Sequence, residues 1–531
     1  MRLRAAAPLL LSLTAAAAPL STVKLDYGTF TGITNATAGY ISFLGVRYAD
    51  PPTGDLRWRA PVSPPSKNLG SVNATSLGYA CIATTQTNSG ATTSEDCLFG
   101  NVYVPIAATA GSKLPVLVYF HGGGFEGGRT SDAPANHIMP ASKEPFVYVA
   151  FEYRLGQFGF LAGEAVREQG LLNAGLWDQR AALEWVQRYI GSFGGDKTRV
   201  TMWGQSAGAA SVMYQLIAEG GANKKNLFQQ VIADSPPMIS LHPVDASDPY
   251  LSNLFAQFTR LAGCSSGTST QIMACLRAAS TAKLATAGAN VLINRTSALY
   301  PIGPILDGDF VRERPVDAFT KGNFVHVPGI FGSNTDEGLR WSAMLDDPAA
   351  NTDNPSATQT TVYNFIAGQY VDFTRAAFDK AVKDFYPLAD YSGSFRLQGS
   401  QMYGEMRYIC SAVLLGGVFQ RAGLKAWQYH WDNPTLGSGH GAELDAFFQD
   451  DSGYDAASKS IVAAMREYWT TYITGGSPVS ASTKVAWKLT TDDGSARILF
   501  RPGKLAMETV SPALEKRCAY WQSIAATELG I

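Results

Sequence analysis

Charged residues are scarce in this sequence. Lys, Arg, Asp and Glu make up 16% of its 531 residues, and they nearly cancel to a formal net charge of −2. A protein that binds nucleic acid needs a basic surface, so this balance argues against a nucleic-acid partner. Hydrophobic residues account for 46% of the chain, which is ample for the core of a large globular protein.

Long uncharged apolar runs are also missing. The first residues carry the pattern of a signal peptide: Arg2 and Arg4, an apolar run from Ala5 to Leu13, then the small residues Ala15 to Ala18. That run is too short to span a bilayer, and no other long one follows. We therefore predict a signal peptide at residues 1–18, a secreted mature protein and no stable membrane anchor.

Cysteine and histidine occur only six times each, and neither forms a metal-binding pattern. The sequence has no C-x-x-C, and four histidines lack a second ligand at metal-site spacing. These histidines are His137, His242, His326 and His430. We predict structural or surface roles for them, and neither a metal nor a cofactor for the protein.

Two features of the chain fit export. Six cysteines in an exported chain imply disulfides, although the sequence alone leaves many pairings open. Three N-x-S/T sequons are candidate glycosylation sites, at Asn35, Asn73 and Asn294.

No linker or low-complexity segment divides the chain. Units of strand, glycine-rich loop and helix recur along it, as in a doubly wound, mostly parallel sheet with helices on both faces. We therefore predict a single α/β catalytic domain over residues 19–531. Large helical insertions are expected between Ser235 and Asp307 and between Glu337 and Leu424.

The G-x-S-x-G sequence from Gly204 to Gly208 lies between a short apolar run and a helix-forming segment. A serine nucleophile has to be exposed at a very sharp turn from strand to helix. Glycines without a Cβ let the strand and the helix pass closely while Ser206 adopts strained backbone angles. The helix also directs free N–H groups at the oxygen to be stabilised. Ser206 is therefore the predicted nucleophile.

A second copy of the pattern runs from Gly263 to Gly267 and contains Ser265. It follows the helix-like segment from Leu254 to Leu261 instead of a buried strand, and polar loop residues come after it. We interpret it as a loop at the end of a helix that carries a structural cysteine, Cys264. The context of each copy thus separates the two serines.

Glycines also follow the apolar segment from Val116 to Phe120. The tetrahedral intermediate of acyl transfer carries negative charge on the former carbonyl oxygen, which rigid backbone N–H groups stabilise. Consecutive glycines let the main chain approach a substrate closely. We predict an oxyanion hole formed by the N–H groups of Gly123, Gly124 and Ala207, with His121 shaping the loop rather than transferring protons.

In this order and spacing, the two motifs resemble the type-B carboxylesterase/lipase family of α/β-hydrolases, which includes the cholinesterases and the fungal lipases. Further matches cover nearly the whole mature chain, at Gly45 to Pro52, Leu56 to Trp58, Glu95 to Leu98, Tyr153 to Gly156 and Phe193 to Asp196. The resemblance implies the α/β-hydrolase fold and a secreted serine hydrolase that cleaves carboxylic esters through an acyl-enzyme.

The resemblance also implies the remaining catalytic residues. It places the acid at Glu337, after the strand-like segment from Val327 to Phe331, and the base at His440, in a glycine-rich loop. Asp336 is the alternative acid, and the sequence alone does not choose between the two carboxylates. His440 would take the proton of Ser206 and return it to the leaving alcohol, while the acid fixes the imidazole tautomer.

The disulfides that the resemblance implies are Cys81–Cys97, Cys264–Cys275 and Cys410–Cys518.

The chain departs from the family at Gln205, where members often carry Glu before the nucleophile. A neutral amide there removes a buried negative charge that would favour the charged form of His440, but it removes no catalytic group.

The loop between Cys81 and Cys97 bears on the substrate. In the cholinesterases and the long-lid lipases, the corresponding loop is long, whereas here residues 82–96 are few and mostly Ala, Thr, Ser, Gln and Asn. It has no aromatic residue to hold a quaternary ammonium and no apolar face for an oil surface. We therefore favour an esterase acting on small-molecule esters with short-to-medium acyl chains. The alternatives are a true lipase acting on long-chain acylglycerols or sterol esters and, in another class, a non-catalytic adhesion-type homologue.

Overall fold

The computed structural model describes residues 20–222, 225–245, 248–293, 295 and 297–531. Its strands are β1 (Thr22–Leu25), β2 (Gly28–Thr31), β3 (Ile33–Asn35), β4 (Tyr40–Arg47), β5 (Ser71–Asn73), β6 (Ala80–Cys81), β7 (Thr93–Ser94), β8 (Phe99–Pro105), β9 (Leu114–Phe120), β10 (Val147–Phe151), β11 (Gly195–Gln205), β12 (Gln230–Asp234), β13 (Gly329–Asn334), β14 (Ala426–Trp431), β15 (Ala496–Arg501) and β16 (Lys504–Thr509).

Eleven of these strands form one sheet, in the order β16-β15-β14-β13-β12-β11-β9-β10-β8-β4-β3. Neighbours run parallel from β10 across to β15, and the pairs at both edges are antiparallel. The carboxyl ends of β9, β11, β13 and β14 therefore meet at one edge of the sheet. In open α/β sheets this edge is where ligands bind.

The central strands are buried on both faces. In β9, Val116, Val118 and Phe120 contribute to one hydrophobic cluster, while Leu117 and Tyr119 contribute to another. Successive side chains of a strand point to opposite faces, so the two clusters lie on the two sides of the sheet. Covering both faces requires helices on both sides, and the predicted doubly wound α/β fold is confirmed.

The helices are α1 (Gly156–Gly159), α2 (Glu164–Gln169), α3 (Ala174–Tyr189), α4 (Ala207–Gly221), α5 (Pro249–Leu261), α6 (Ser269–Ala278), α7 (Thr281–Ile293), α8 (Pro315–Lys321), α9 (Gln359–Gln369), α10 (Arg375–Asp384), α11 (Phe395–Gly404), α12 (Cys410–Arg421), α13 (Asp445–Phe448), α14 (Ala456–Gly475) and α15 (Pro512–Ser523). Helices α5 to α7 and α9 to α12 lie where the sequence predicts insertions. Among the described residues, no helix is long and apolar enough to cross a membrane.

Three disulfides are present, at Cys81–Cys97, Cys264–Cys275 and Cys410–Cys518, the pairs that the resemblance implies. The first holds the short pair β6–β7, the second joins the end of α5 to α6, and the third ties α12 to α15. The predicted signal peptide and the sequon residue Asn294 lie outside the described residues.

Candidate active site

Ser206 occupies the turn between strand β11 and helix α4. Its backbone angles are φ 57° and ψ −125°, which a residue with a Cβ rarely adopts. The strand and the helix are close here, because a Cβ added to Gly204 would lie 2.3 Å from the backbone of Gly208. A Cβ on Gly208 would in turn lie 2.0 Å from the carbonyl oxygen of Phe120. The two glycines therefore make this turn possible, as the pentapeptide predicts.

The structure brings Ser206, His440 and Glu337 together in one chain of hydrogen bonds. His440 Nε2 lies 2.7 Å from Ser206 Oγ, and His440 Nδ1 lies 2.6 Å from Glu337 Oε2. With a proton on Nδ1 donated to the carboxylate, Nε2 is free to accept the serine proton. The arrangement can therefore activate the hydroxyl of Ser206 as a nucleophile.

Glu337 and Asp336 have different environments. The side chain of Glu337 is fully buried, and its Oε1 accepts hydrogen bonds from Ser235 Oγ at 2.5 Å and from the N–H of Asn334 at 2.7 Å. Asp336 is exposed, and its backbone N–H donates to the carbonyl of Ser438 at 2.8 Å. Of the two candidate acids, Glu337 is the one that contacts the imidazole.

The glycine loop after β9 lies directly beside the serine turn. Gly123 has φ 107° and Gly124 has φ 65°, both in the region that favours glycine. A Cβ added to Gly122 would lie 2.8 Å from the carbonyl oxygen of Gln205, so the loop and the turn touch. This contact brings the loop that carries Gly123 and Gly124 next to the turn that carries Ala207; the oxyanion hole itself stays a prediction.

His121 supports this loop. It is buried, its Nδ1 donates to the carbonyl of Gly122 at 2.9 Å, and its ring stacks on Tyr153 with centroids 4.5 Å apart. The hydroxyl of Tyr153 also donates to the carbonyl of His121 at 2.8 Å. These contacts agree with the predicted role in shaping the loop.

An aromatic wall borders the imidazole of His440. The ring centroids of Tyr408 and Trp341 lie 4.2 Å and 5.3 Å from that of His440, and the Trp341 indole N–H donates to the carbonyl of Glu337 at 2.7 Å. A cavity of about 330 Å³ opens beside Trp341 and His440. Sequence reasoning missed both aromatic residues, because they precede His440 by tens of residues and belong to no recognisable motif.

Buried polar residues behind the triad were also missed. The side-chain amide of Asn334 donates to the carbonyl of Gly439 at 2.7 Å and to the carboxyl of Glu443, which links β13 to the His440 loop. Burial raises the pKa of the Glu443 carboxyl well above its ordinary value, and the nearby Glu337 and Asp234 carboxyls raise it further.

Gln205 lies next to the imidazole of His440, with the Nε2 atoms of the two side chains 3.4 Å apart.

The remaining candidates lie elsewhere. Ser265 is exposed in the turn after α5, beside the disulfide-bonded Cys264. His242 contacts Asp248 at 2.9 Å, and His430 contacts Glu508 at 2.8 Å, which fits their predicted structural roles. Within the described part of the chain, no group of three or more His, Cys, Asp or Glu side chains has the arrangement of a metal site.

The comparisons with known proteins agree with this geometry. A model described as the carboxylesterase family matches residues 19–521. The secreted triacylglycerol lipase LIP1 of Gibberella zeae is 30% identical over 88% of this chain and 84% of its own length. Lipase 2 of Geotrichum candidum is 31% identical, with coverages of 85% and 87%. The crystal structure of Aspergillus niger EstA has a TM-score of 0.85 at 30% identity, covering 97% of this chain and 99% of that one.

Proposed function

The chain belongs to the carboxylesterase family and is a carboxylic ester hydrolase, and from that premise we propose that it works through an acyl-enzyme formed on Ser206. The observation that carries the proposal is the hydrogen-bonded series from Ser206 through His440 to Glu337, with distances of 2.7 and 2.6 Å. These lengths suit proton transfer by a general base.

Ser206 Oγ attacks the ester carbonyl while His440 Nε2 accepts its proton. The tetrahedral intermediate collapses and releases the alcohol, which receives that proton from His440, and leaves an acyl-enzyme. Water then attacks the acyl-enzyme while His440 takes its proton, and His440 gives that proton to Ser206 Oγ as the bond to the acyl group breaks and the acid leaves. Glu337 holds the imidazole tautomer and stabilises the imidazolium in both halves.

The N–H groups of Gly123, Gly124 and Ala207 are proposed to stabilise the negatively charged oxygen of each intermediate. The positive φ values of the two glycines direct the loop backbone instead of a side chain at the substrate. Ala207 is the first residue of α4, so its N–H also lies at the positive end of the helix dipole.

For the acyl group, we favour short-to-medium chains. The loop between Cys81 and Cys97 spans only 16 positions, and its outer residues are polar and exposed. A second candidate is a true lipase, because two of the compared relatives carry the names secreted triacylglycerol lipase and lipase.

Secretion is proposed on two grounds. Residues 1–18 have the composition of a signal peptide, and relatives from Gibberella zeae and Botryotinia fuckeliana are named as secreted lipases.

Glycosylation is proposed at two sequons. Asn35 and Asn73 are exposed, so both are accessible for glycosylation.

Labelling and mutation test the assignment of the nucleophile. A fluorophosphonate should modify Ser206 and leave Ser265 unmodified, as read by mass spectrometry of the peptides. Ser206→Ala should lower kcat by about 10⁴-fold or more with an unchanged circular dichroism spectrum. Ser265→Ala is the matched control and should retain full activity. Label on Ser265, or an active Ser206→Ala protein, would overturn the proposal.

A further inference from the structure

Arg407 is a buried cation that forms no ion pair with a carboxylate of the described residues. It lies in the π-helical turn Glu405–Ile409 between α11 and α12, and only 7% of its surface is exposed. The Nε atom of its guanidinium has no hydrogen-bond partner in the described part of the structure. A buried charge normally requires a partner, because removing it from water is costly.

The other buried arginines of the described residues all have such partners. Each of the five forms an ion pair with a carboxylate, namely Arg57 with Glu95, Arg154 with Asp178, Arg180 with Glu219, Arg466 with Asp451 and Arg497 with Glu508. Arg407 is the exception. No carboxylate of the described residues forms an ion pair with it, and its guanidinium has tyrosine hydroxyls within hydrogen-bonding reach instead.

The neighbours of Arg407 are tyrosines. Its guanidinium carbon lies 5.6 Å from the ring centroid of Tyr403 and 5.8 Å from that of Tyr408. Ring faces attract a cation, and the hydroxyls of Tyr408 and Tyr370 lie within its reach as hydrogen-bond acceptors, but neither supplies a negative charge. The hydroxyls of Tyr403 and Tyr214 are also buried without a hydrogen-bond partner. Among the described residues, the side chains around Arg407 thus offer neutral hydroxyls and no paired carboxylate.

Arg407 lines a cavity that borders the proposed oxyanion loop at Gly124. The cavity has a volume of about 60 Å³, and Tyr300, Ile239 and Ile302 also line it. One water molecule needs roughly 10–15 Å³ of such space, so the cavity holds a group of a few non-hydrogen atoms. Tyr408 lies between Arg407 and His440, with its ring in contact with both side chains.

We infer that this cavity binds a carboxylate of the substrate, so that the preferred esters carry a free carboxylate a few atoms from the ester carbonyl, with Arg407 as the residue that determines this specificity. The planar guanidinium matches a carboxylate with two parallel hydrogen bonds. Of the other titratable side chains that line the cavity, His242 is already paired with Asp248. Burial raises the pKa of the Tyr250 and Tyr300 hydroxyls, which keeps both neutral. The bound carboxylate is a spectator, and only the ester bond is cleaved.

This inference rests on the proposed function, and matched ester pairs test it. Monoethyl malonate, succinate and glutarate place a carboxylate at increasing distances on the acyl side. In their neutral counterparts an isopropyl group replaces the carboxylate, as in ethyl 4-methylpentanoate for the succinate. Butyryl glycolate and isobutyl butyrate form the corresponding pair with the carboxylate on the alcohol side. A pH-stat gives kcat/KM for each ester.

We expect the wild-type protein to favour the charged member of at least one pair. Arg407→Gln should lower the charged-to-neutral ratio of kcat/KM by about 10- to 100-fold, the usual effect of losing a hydrogen bond between two charged groups. Arg407→Lys should lower it less, because it keeps the charge but loses the planar geometry. The control is Arg375→Gln, since Arg375 also lies over two aromatic rings but is exposed and paired with Asp379. Its ratio should not change.

Two results would overturn the inference. One is that Arg407→Gln lowers kcat/KM equally for both members of every pair, which would make Arg407 a purely structural residue. The other is a wild-type protein that hydrolyses the neutral esters and not the charged ones. This comparison uses wild-type protein alone, so it tests the inference even if Arg407→Gln does not fold. A failure of the proposed function can be told apart from these results. In that case a fluorophosphonate would not label Ser206 of the wild-type protein.

Discussion

At the scale of single residues, Glu337 and Asp336 are neighbours in the chain with opposite environments. Glu337 is fully buried against Ser235, Asn334 and His440, whereas Asp336 is exposed. A carboxylate that orients an imidazole has to be fixed itself, and only one of the two is. The burial of these side chains supplies a choice that the sequence leaves open.

Exchanging each carboxylate for its amide tests this choice. Glu337→Gln should lower kcat by about 10²- to 10⁴-fold, because the imidazole then takes the wrong tautomer. Asp336→Asn should have a much smaller effect at equal thermal stability. Steady-state kinetics on a neutral ester measures both, and a larger loss in Asp336→Asn would contradict the assignment.

Gln205 adjoins the imidazole of His440, with Nε2 atoms 3.4 Å apart. Gln205→Glu would place a carboxylate there and favour the charged imidazolium. General-base catalysis needs the neutral imidazole in the free enzyme, so the acidic limb of the kcat/KM profile should move to higher pH. Gln205→Met is the uncharged control. An identical acidic limb in Gln205→Glu would mean that the new charge is screened from the base.

Glu126, in the turn after Gly124, is a buried acid whose ionisation opposes folding. Burial raises the pKa of its carboxyl to about 8, although Oε1 accepts a hydrogen bond from the N–H of Ile302 at 2.8 Å. In the folded protein the Glu126 carboxyl therefore keeps a proton that it loses at about pH 4.5 in the unfolded chain. Stability falls as pH rises from there to about pH 8, and levels off above it.

Glu126→Gln stays neutral at every pH and can still accept the bond from Ile302. Its free energy of unfolding should exceed that of the wild type by on the order of 4–5 kcal/mol at about pH 8, and by little at about pH 4.5. Denaturant unfolding at the two pH values measures the difference, with the exposed Glu144→Gln as control. A constant difference across this range would show that Glu126 is ionised in the fold.

At the scale of elements, the loop closed by Cys81 and Cys97 is held near its start. Ile82 and Thr84 are buried, and the N–H of Thr84 donates to the carbonyl of Glu126 at 2.8 Å, beside the glycines of the proposed oxyanion hole. The residues farther along the loop are polar and largely exposed. Opening it would break this contact and uncover little apolar surface.

We therefore expect no interfacial activation. Apolar area contributes about 25 cal/mol per Å², so an oil surface would gain little from an open loop. The rate on tributyrin should rise smoothly through its solubility limit, and triolein emulsions should be hydrolysed slowly. Titration of the released acid at constant pH gives both rates. A sharp jump at the solubility limit with rapid triolein hydrolysis would favour the lipase alternative.

At the scale of the whole molecule, the disulfides close loops of very different length. Cys410 and Cys518 are 108 residues apart, and their bond ties α15 near the end of the chain to α12 beside the active site. Cys264 and Cys275 are only 11 residues apart. A disulfide stabilises mainly by restricting the unfolded chain, and the restriction grows with loop length.

Replacing both cysteines of each pair by Ala separates these effects. Loss of Cys410–Cys518 should lower the free energy of unfolding by about 2 kcal/mol more than loss of Cys264–Cys275, from the difference in loop length. Guanidinium unfolding followed by tryptophan fluorescence provides the comparison. Equal losses would indicate that contacts in the folded state, and not loop closure, determine the contribution of each bond.

The sequence by itself determined the local chemistry of this protein. The turn at the nucleophile is an example, since it involves only residues close in the chain, Gly204, Ser206 and Gly208. A turn this sharp requires residues without a Cβ at particular positions. The pentapeptide therefore identified the turn directly. The glycines after β9 were recognised in the same way. The alternation of strand, glycine loop and helix was enough to predict the doubly wound sheet, because each such unit has to cover both faces of a parallel strand.

Only the tertiary structure decided which distant side chains meet. His440 contacts Glu337 and not Asp336. Trp341 and Tyr408 pack against the same imidazole. Arg407 is buried without an ion pair to any described carboxylate. These relations depend on where separate insertions pack around the sheet edge. These residues lie about 30 to 130 positions from the groups they serve, and no local pattern relates them. Burial and packing across the sheet set their environments, so their roles could be read only once the chain was folded.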